Sequence, residues 1–218
     1  MVNRTCGRNF GRNPKSRDIL DHENETNLQS LPSASRIFYL AIMMKSEIVW
    51  DESHQLLGTG WSKLPDESRV WLHLANRVLS DEELMGWAEA MEGFLSNWTA
   101  HGQGLRASWS LFGRRLLVVG LDESLAGATG CSIDQLMRLI QSEGMGLTPP
   151  VDWLTRTHTL YKGDGIWREL DLHAFWAACK AGIIQSDVLL INTVLYQKGE
   201  CHSQMVLPLS DSWHARMW

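Results

Sequence analysis

One segment of the sequence, the turn from Asp122 to Asp134, combines residue types that could bind an anion or form a reactive thiol. The predicted strand Leu116–Leu121 runs into two carboxylates, and the small residues of 127–130 allow close backbone approach before a predicted helix begins at Cys131. The free amides and the dipole at a helix N-terminus favour an anion. The same features would lower the pKa of the Cys131 thiol and make it a better nucleophile.

Two sets of candidate residues follow from this turn. The candidate ligand-binding residues are its polar and glycine positions, Asp122, Glu123, Thr129, Gly130, Ser132 and Asp134. The candidate catalytic residues are Cys131 as the nucleophile and His101, which follows the first predicted helix, as a base. A simpler interpretation needs no ligand: glycines make the turn, Ser132 caps the helix, and Cys131 fills the core. Asp122 and Glu123 also oppose the chemical interpretation, because nearby carboxylates repel anions and raise the pKa of a thiol.

Other motifs that carry chemistry are missing from the sequence. The pattern G-x-x-x-x-G-K-[ST] does not occur, which excludes a conventional P-loop ATPase, and no G-x-G-x-x-G follows a strand. The four cysteines form no C-x-x-C pair, so neither a zinc ribbon nor a thioredoxin motif is predicted. No metal-binding spacing such as H-E-x-x-H joins the histidines His73, His158, His173, His202 and His214. We therefore predict no metal site and no cofactor, and we interpret His73 as a packed or edge histidine of a strand.

Hydrophobic periodicity and turn signals divide residues 69–195 into strands and helices that must position the turn. The predicted strands are 70–74, 105–112, 116–121, a hairpin of 153–161 with 166–170, and 188–195. Predicted helices begin at the capping boxes Ser80–Glu83 and Ser132–Gln135 and at Asp171. They end near residue 101, at Gly144 and at Gly182. Residues 196–218 are predicted to be irregular, with Trp213 docked on the core.

The order strand, helix, strand, strand, helix, strand is typical of the split βαβ pattern. We therefore predict an α+β fold, a ferredoxin-like two-layer sandwich with a C-terminal elaboration, formed by a single domain of residues 44–218. The chain of 218 residues is 44% apolar, which is enough to bury a core, and we expect most of its 11 tryptophans to be packed.

The sequence contains no run near the roughly 20 apolar residues that a membrane helix needs. It also shows no export signal, so we expect a cytoplasmic protein with reduced thiols and no membrane partner. Residues 1–43 carry six basic and four acidic residues. The remainder of the chain therefore has 14 basic and 21 acidic residues and a net charge near −7. This acidic balance argues against nucleic acid as a partner.

Residues 1–43 differ from the rest in being rich in Asn, Arg and Ser, with little periodicity. We expect a disordered tail there. Met43 and Met44 begin a segment that looks like an ordinary protein start. Our hypothesis is that the native chain starts at one of these two methionines and that the residues before it belong to an upstream start.

Four stretches stand out in combination: Trp98–Gly102, Leu121–Ser124, Gly130–Asp134 and Ser212–His214. Together they resemble a group of small bacterial proteins, mainly of Bacteroidota, that often carry the automatic name ABC transporter ATPase. The resemblance spans roughly residue 65 onward, which agrees with an extra N-terminal segment. It implies a cytoplasmic bacterial protein of unestablished activity and transfers no catalytic residue. The missing phosphate loop conflicts with the ATPase name, and we follow the residues instead of the name.

Three functions are compatible with these observations. We favour a binding or regulatory domain in which the turn 122–134 binds a small anionic ligand or a protein partner. A thiol-dependent enzyme is the first alternative, with the amides of Cys131 and Ser132 as an oxyanion site and His101 or Asp134 handling the proton. An RNA- or ribosome-associated factor that stacks bases on exposed tryptophans is the second.

Overall fold

The computed structural model describes residues 50–217. The predicted tail and start site of residues 1–44 therefore lie outside the described residues. The strands are β1 (Gln55–Leu57), β2 (Arg69–Leu74), β3 (Thr99–Ala100), β4 (Gln103–Gly104), β5 (Arg106–Phe112), β6 (Leu116–Asp122), β7 (His158–Gly163), β8 (Ile166–Asp171), β9 (Leu189–Ile191) and β10 (Val206–Pro208). The helices are α1 (Asp81–Leu95), α2 (Gly130–Gly146), α3 (Leu172–Lys180) and α4 (Glu200–Ser203).

Two four-stranded antiparallel sheets form the centre of the described chain, so the α+β class is confirmed. Sheet 1 has the strand order β1-β5-β6-β2, and sheet 2 has the order β10-β9-β7-β8. The turn between β5 and β6 lies at Gly113 and Arg114, whose φ angles are 55° and 59°. Positive φ at both central residues is typical of a type I′ turn, which the Arg115 amide closes by donating to the Phe112 carbonyl at 3.0 Å, and this predicted turn is confirmed. Among residues 50–217, no helix combines the length and the apolarity that a membrane crossing requires.

Sheet 1 is covered on both faces. On one face, α1 and α2 pack through residues such as Trp87, Met91, Leu136 and Ile140 against the side chains of Trp109 and its neighbours in β5 and β6. On the other face, alternate residues of β2 and β6, such as Leu72, Leu74 and Val118, pack against residues of sheet 2 such as Leu160 and Ile191. All seven residues of β6 are buried, as expected for a strand between two covered faces.

The second sheet carries α3 on its other face. Leu160 of β7 faces sheet 1, and the next residue, Tyr161, contacts Phe175 of α3 with ring centroids 5.5 Å apart. Because successive side chains of a strand point to opposite faces, the layers follow the order helices, sheet 1, sheet 2, helix. The described chain therefore has four layers, where the sequence predicted two. The second sheet comes from residues after α2.

The ferredoxin-like strand order is not confirmed. The segment β2–α1–β5–β6–α2 has the predicted element order, and β6 lies between β2 and β5. The next strand along the chain, β7, pairs with β8 and β9 in sheet 2 instead of pairing with β2. As a result, β2 is an edge strand of sheet 1.

Three local predictions about α2 and the C-terminal segment are wrong. The cap of α2 is Thr129 and not Ser132, and α2 continues past Gly144 to Gly146. Gly144 is needed for packing, because a Cβ atom there would lie 2.3 Å from the carbonyl oxygen of Val151. Residues 196–217 are less irregular than predicted, since they contain α4 and β10.

Candidate functional site

The predicted turn is closed by hydrogen bonds within itself and to neighbouring strands. The Asp122 carboxylate is buried, accepts a hydrogen bond from the Ser124 amide at 3.0 Å and pairs with Arg106 at 2.9 Å. The hydrogen bonds from Ser124, followed by the charge of Arg106, hold the pKa of Asp122 below its ordinary value. The Glu123 carboxylate accepts from the Ala128 amide at 3.3 Å. These two carboxylates therefore hold the loop between β6 and α2.

The hydroxyl groups of Thr129 and Ser132 are also engaged at the start of α2. Thr129 Oγ1 accepts a hydrogen bond from the Ser132 amide at 3.3 Å, and Ser132 Oγ accepts from the Thr129 amide at 2.8 Å. This reciprocal pair is a capping box, built one turn earlier than predicted. Ser132 is only 1% exposed, and its carbonyl accepts the Trp98 indole N–H at 2.9 Å. Both side chains have a structural role in the cap.

The remaining candidates of the turn lie on the surface. Gly130, Cys131 and Asp134 are exposed on the first turns of α2. His101 is exposed at the tip of the hairpin β3–β4, with φ of 50°. The Trp98 bond brings the segment that leads into this hairpin against the first turn of α2. Among the described residues, no hydrogen bond or ion pair involves the side chains of Cys131, His101 or Asp134.

A second site lies along the open edge of β2. A cavity of about 280 Å³ opens there between sheet 1 and sheet 2. Its apolar wall includes Leu160, Leu172 and Ile191, and its polar wall includes His73, Arg156, His158, Thr159 and His214. With roughly 30 Å³ of liquid volume per water molecule, this space is about nine waters in size. It is close to the lower end of the volumes of small-molecule sites.

His73 is a neutral imidazole in the cavity wall. The residue is 5% exposed, and burial, helped by the positive charge of Arg156, lowers its pKa to about 4. Its ring also forms a hydrogen bond with the backbone of Trp153. Nε2 has no partner among the described residues. Because the Trp153 bond engages the other nitrogen as a donor, Nε2 carries the lone pair and is an acceptor.

His214 is the second buried imidazole of the cavity wall. It is 4% exposed, and burial lowers its pKa to about 4. Its Nε2 lies 3.4 Å from Thr159 Oγ1, and Nδ1 has no partner within residues 50–217. The ring stacks on Trp213 with centroids 3.9 Å apart and contacts the edge of Phe175. The C-terminal segment therefore closes one side of the cavity with a fixed polar ring.

Sequence reasoning missed this cavity. The expectation that His73 is a packed or edge histidine is confirmed, but the space beside it was not predicted. Its wall combines five separate segments, 72–74, 153–160, residue 172, 191–194 and 213–214. No local spacing links them, so the only available signal was the number of histidines. In the described part of the chain, no group of three or more His, Cys, Asp or Glu side chains is arranged to hold a metal ion.

Comparison with known proteins adds no homologue to this geometry. No protein-family model, no curated protein and no solved structure matches the chain. The resemblance to the Bacteroidota proteins therefore stays a prediction. The function has to be argued from the described residues themselves.

Proposed function

We propose that this protein is a binding or regulatory protein that holds a small organic ligand in the cavity beside β2. One observation supports the proposal: two buried imidazoles in the cavity wall, His73 and His214, each leave one ring nitrogen without a partner among the described residues. Buried polar groups normally have a partner. Ligand sites typically combine apolar walls with a few such groups. The cytoplasmic location expected from the sequence is part of this proposal.

The closed hydrogen bonding of the turn 122–134 favours the cavity over the turn as the ligand site. Asp122, Glu123, Thr129 and Ser132 already have partners within the protein. An anion at the turn would therefore rely on the amides of Gly130 and Cys131.

The finer fold assignment enters as part of the same proposal. We interpret β2–α1–β5–β6–α2 as a split βαβ unit of ferredoxin-like type. In such a unit the strand that follows the second helix lies beside the first strand, which here is β2. Along β2 the described chain has the cavity at that position. A ligand site would thus occupy the place of the fourth strand.

A fragment screen tests the proposal. We would measure binding of a library of small organic fragments by ligand-observed NMR, using wild type, Thr193→Trp and Thr99→Trp. Thr193 lies in the cavity wall and is half-buried, so an indole there would fill the space. Thr99 is exposed on β3 and controls for the addition of a tryptophan. We expect a set of fragments that binds wild type and Thr99→Trp and fails to bind Thr193→Trp; equal binding to all three would reject the cavity as the site.

A thiol-dependent enzyme is a second candidate function, with Cys131 as the nucleophile. The specific observation in its favour is that Cys131 is exposed on the first turn of α2. Burial raises the pKa of the Cys179 and Cys201 thiols to about 11. We therefore expect iodoacetamide at about pH 8 to modify Cys131 at least ~50-fold faster than the other two. Mass spectrometry of the folded protein measures each rate.

The pH dependence of that rate decides whether the thiol is activated. An activated thiolate would react rapidly at pH values well below the ordinary thiol pKa of about 8.5. A rate at Cys131 that rises only near that pKa would make the residue an ordinary surface thiol. The nucleophile hypothesis would then lose its basis, whereas the ligand proposal would be unaffected.

A further inference from the structure

The open edge of β2 presents backbone groups to the cavity in a fixed pattern. The Ala75 amide donates to the Arg115 carbonyl at 2.8 Å, so residue 75 faces β6. Residues 70, 72, 74 and 76 then face the opposite way, because the N–H and C=O of one residue point to the same side of a strand. At the two ends of the edge, the Val70 amide donates to Tyr196 and the Asn76 amide donates to Asp152, both at 3.0 Å.

Between those two ends, the edge groups of β2 are unpaired. Leu72 and Leu74 form no hydrogen bond on this side with any residue in 50–217. Leu72 is 5% exposed and Leu74 is 8% exposed, so both residues are largely removed from bulk water. Unpaired backbone groups that are removed from water carry a free-energy penalty, and they normally have a partner. This is a second observation, independent of the histidines, that points to an occupant.

The spacing of the unpaired groups selects the chemistry of that occupant. Leu72 and Leu74 each present one donor and one acceptor, and residues two apart in a strand are about 6.7 Å apart. An extended amide chain repeats its own donors and acceptors at the same interval, which is the basis of recognition by strand addition. A small molecule with a single polar group would leave most of these four groups without a partner.

The length of the free edge limits the occupant to about two residues. Tyr196 and Asp152 already pair with the edge at Val70 and Asn76, so a longer strand would have to displace them. The cavity beside this edge has a volume of about 280 Å³. These limits favour a free small amide over a segment of another polypeptide.

The cavity walls offer contacts for two further groups of such a ligand, a side chain and a carboxylate. On the side of sheet 2, Leu160 and Ile191 offer apolar surface for one side chain. Arg156 lies in the cavity wall and is exposed, and its positive charge acts on His73 within the same wall. A guanidinium group at the opening of an apolar cavity is suited to a carboxylate.

We infer that the cavity binds an N-acylated amino acid or dipeptide in extended form. Its amide groups pair with Leu72 and Leu74, its carboxylate lies at Arg156, and its apolar side chain packs on Leu160 and Ile191. This inference rests on the proposed function, because it names the ligand class of the same cavity.

Three matched probes test the inference by isothermal titration calorimetry with the full chain. They are N-acetyl-L-alanyl-L-valine, its C-terminal amide, and the ester analogue in which oxygen replaces the second amide N–H. We expect the parent compound to bind, and the ester to bind about tenfold more weakly because it lacks the donor for the strand edge. We expect the C-terminal amide to lose a similar factor, because the carboxylate is removed.

Two variants separate the role of Arg156 from a general charge effect. Arg156→Ala should weaken the parent compound about tenfold and the C-terminal amide less than about twofold. Arg138→Ala, an exposed arginine of α2 outside the cavity, should change neither. Equal affinity for the parent compound and the ester, or no binding of any probe while fragments still bind the cavity, would overturn the inference and leave the proposed function standing. Loss of fragment binding as well would overturn both.

Discussion

At the scale of single residues, the buried histidines have the largest consequence for the behaviour of the protein. His73 and His214 are kept neutral by burial, each with a pKa of about 4 against an ordinary value of 6.5. Between these two pH values the unfolded chain binds more protons than the folded protein does. The stabilisation is therefore complete above pH 6.5 and is lost as the pH falls towards 4.

We predict that the free energy of unfolding falls by about 2–3 kcal/mol per buried histidine between pH 7 and pH 4.5. Urea unfolding at the two pH values measures the change. His73→Asn, whose amide can still donate to Trp153, should remove about half of the pH dependence. His202→Asn, a change at an exposed histidine, should leave it unaltered. A pH dependence that survives His73→Asn in full would show that His73 is accessible to protons in the folded state.

At the scale of elements, the start of α2 depends on two hydroxyl groups. Thr129 and Ser132 satisfy each other's backbone amides, and Ser132 Oγ also donates to the Thr129 carbonyl at 2.9 Å. The stretch Gly130–Asp134, one of the four on which the resemblance to the Bacteroidota proteins rests, begins directly after this cap. Its Ser132 therefore has a structural explanation that does not need a ligand.

We predict that Thr129→Ala and Ser132→Ala each destabilise the protein by roughly 1–2 kcal/mol, because each removes one half of the cap. Gln135→Ala, at an exposed position of the same helix, should change stability by less than about 0.5 kcal/mol. Thermal unfolding followed by circular dichroism gives all three values. If Gln135→Ala proved the most costly, the capping box first expected from the sequence, Ser132 with Gln135, would be the real one.

The elements that the sequence predicted well are those defined by neighbours in the chain. The box of Ser80 and Glu83 and the turn at Gly113 follow from spacings of three residues or fewer, and both are present. The cap of α2 was misplaced because Thr129 and Ser132 use a serine where the common pattern has Glu or Gln. The edge of β2 was not predictable, because it depends on β7 pairing with β9 about 30 residues away. The cavity depends on the same pairing, because it exists only where no strand covers β2.

At the scale of the whole described region, the two sheets are joined by one core and one buried ion pair. Arg115, 1% exposed at the end of the β5–β6 turn, lies 2.5 Å from Glu169 of β8, and its Nε donates to the Ala75 carbonyl at 2.7 Å. Breaking a buried pair leaves a charge without compensation. The pair therefore couples sheet 1 to sheet 2.

We predict that Glu169→Ala destabilises the protein by about 3 kcal/mol and lowers the unfolding midpoint of both sheets together. Glu89→Ala, at an exposed position of α1, should cost less than about 0.5 kcal/mol. Tryptophan fluorescence and circular dichroism, measured on the same urea series, show whether the protein unfolds in one transition or in two. Separate transitions in Glu169→Ala would show that each sheet holds its structure alone.

The complete burial of β6 has a consequence for hydrogen exchange. Its backbone lies between β5 and β2, and the layers above and below exclude solvent from all seven residues. Deuterium can reach these amides only when the sheets separate, so their exchange reports the free energy of that opening. A ligand beside β2 that binds only the closed protein would slow exchange in β6 without touching it, by a factor set by ligand concentration and affinity. Exchange rates in this one strand would thus detect an occupant whose identity is not known in advance.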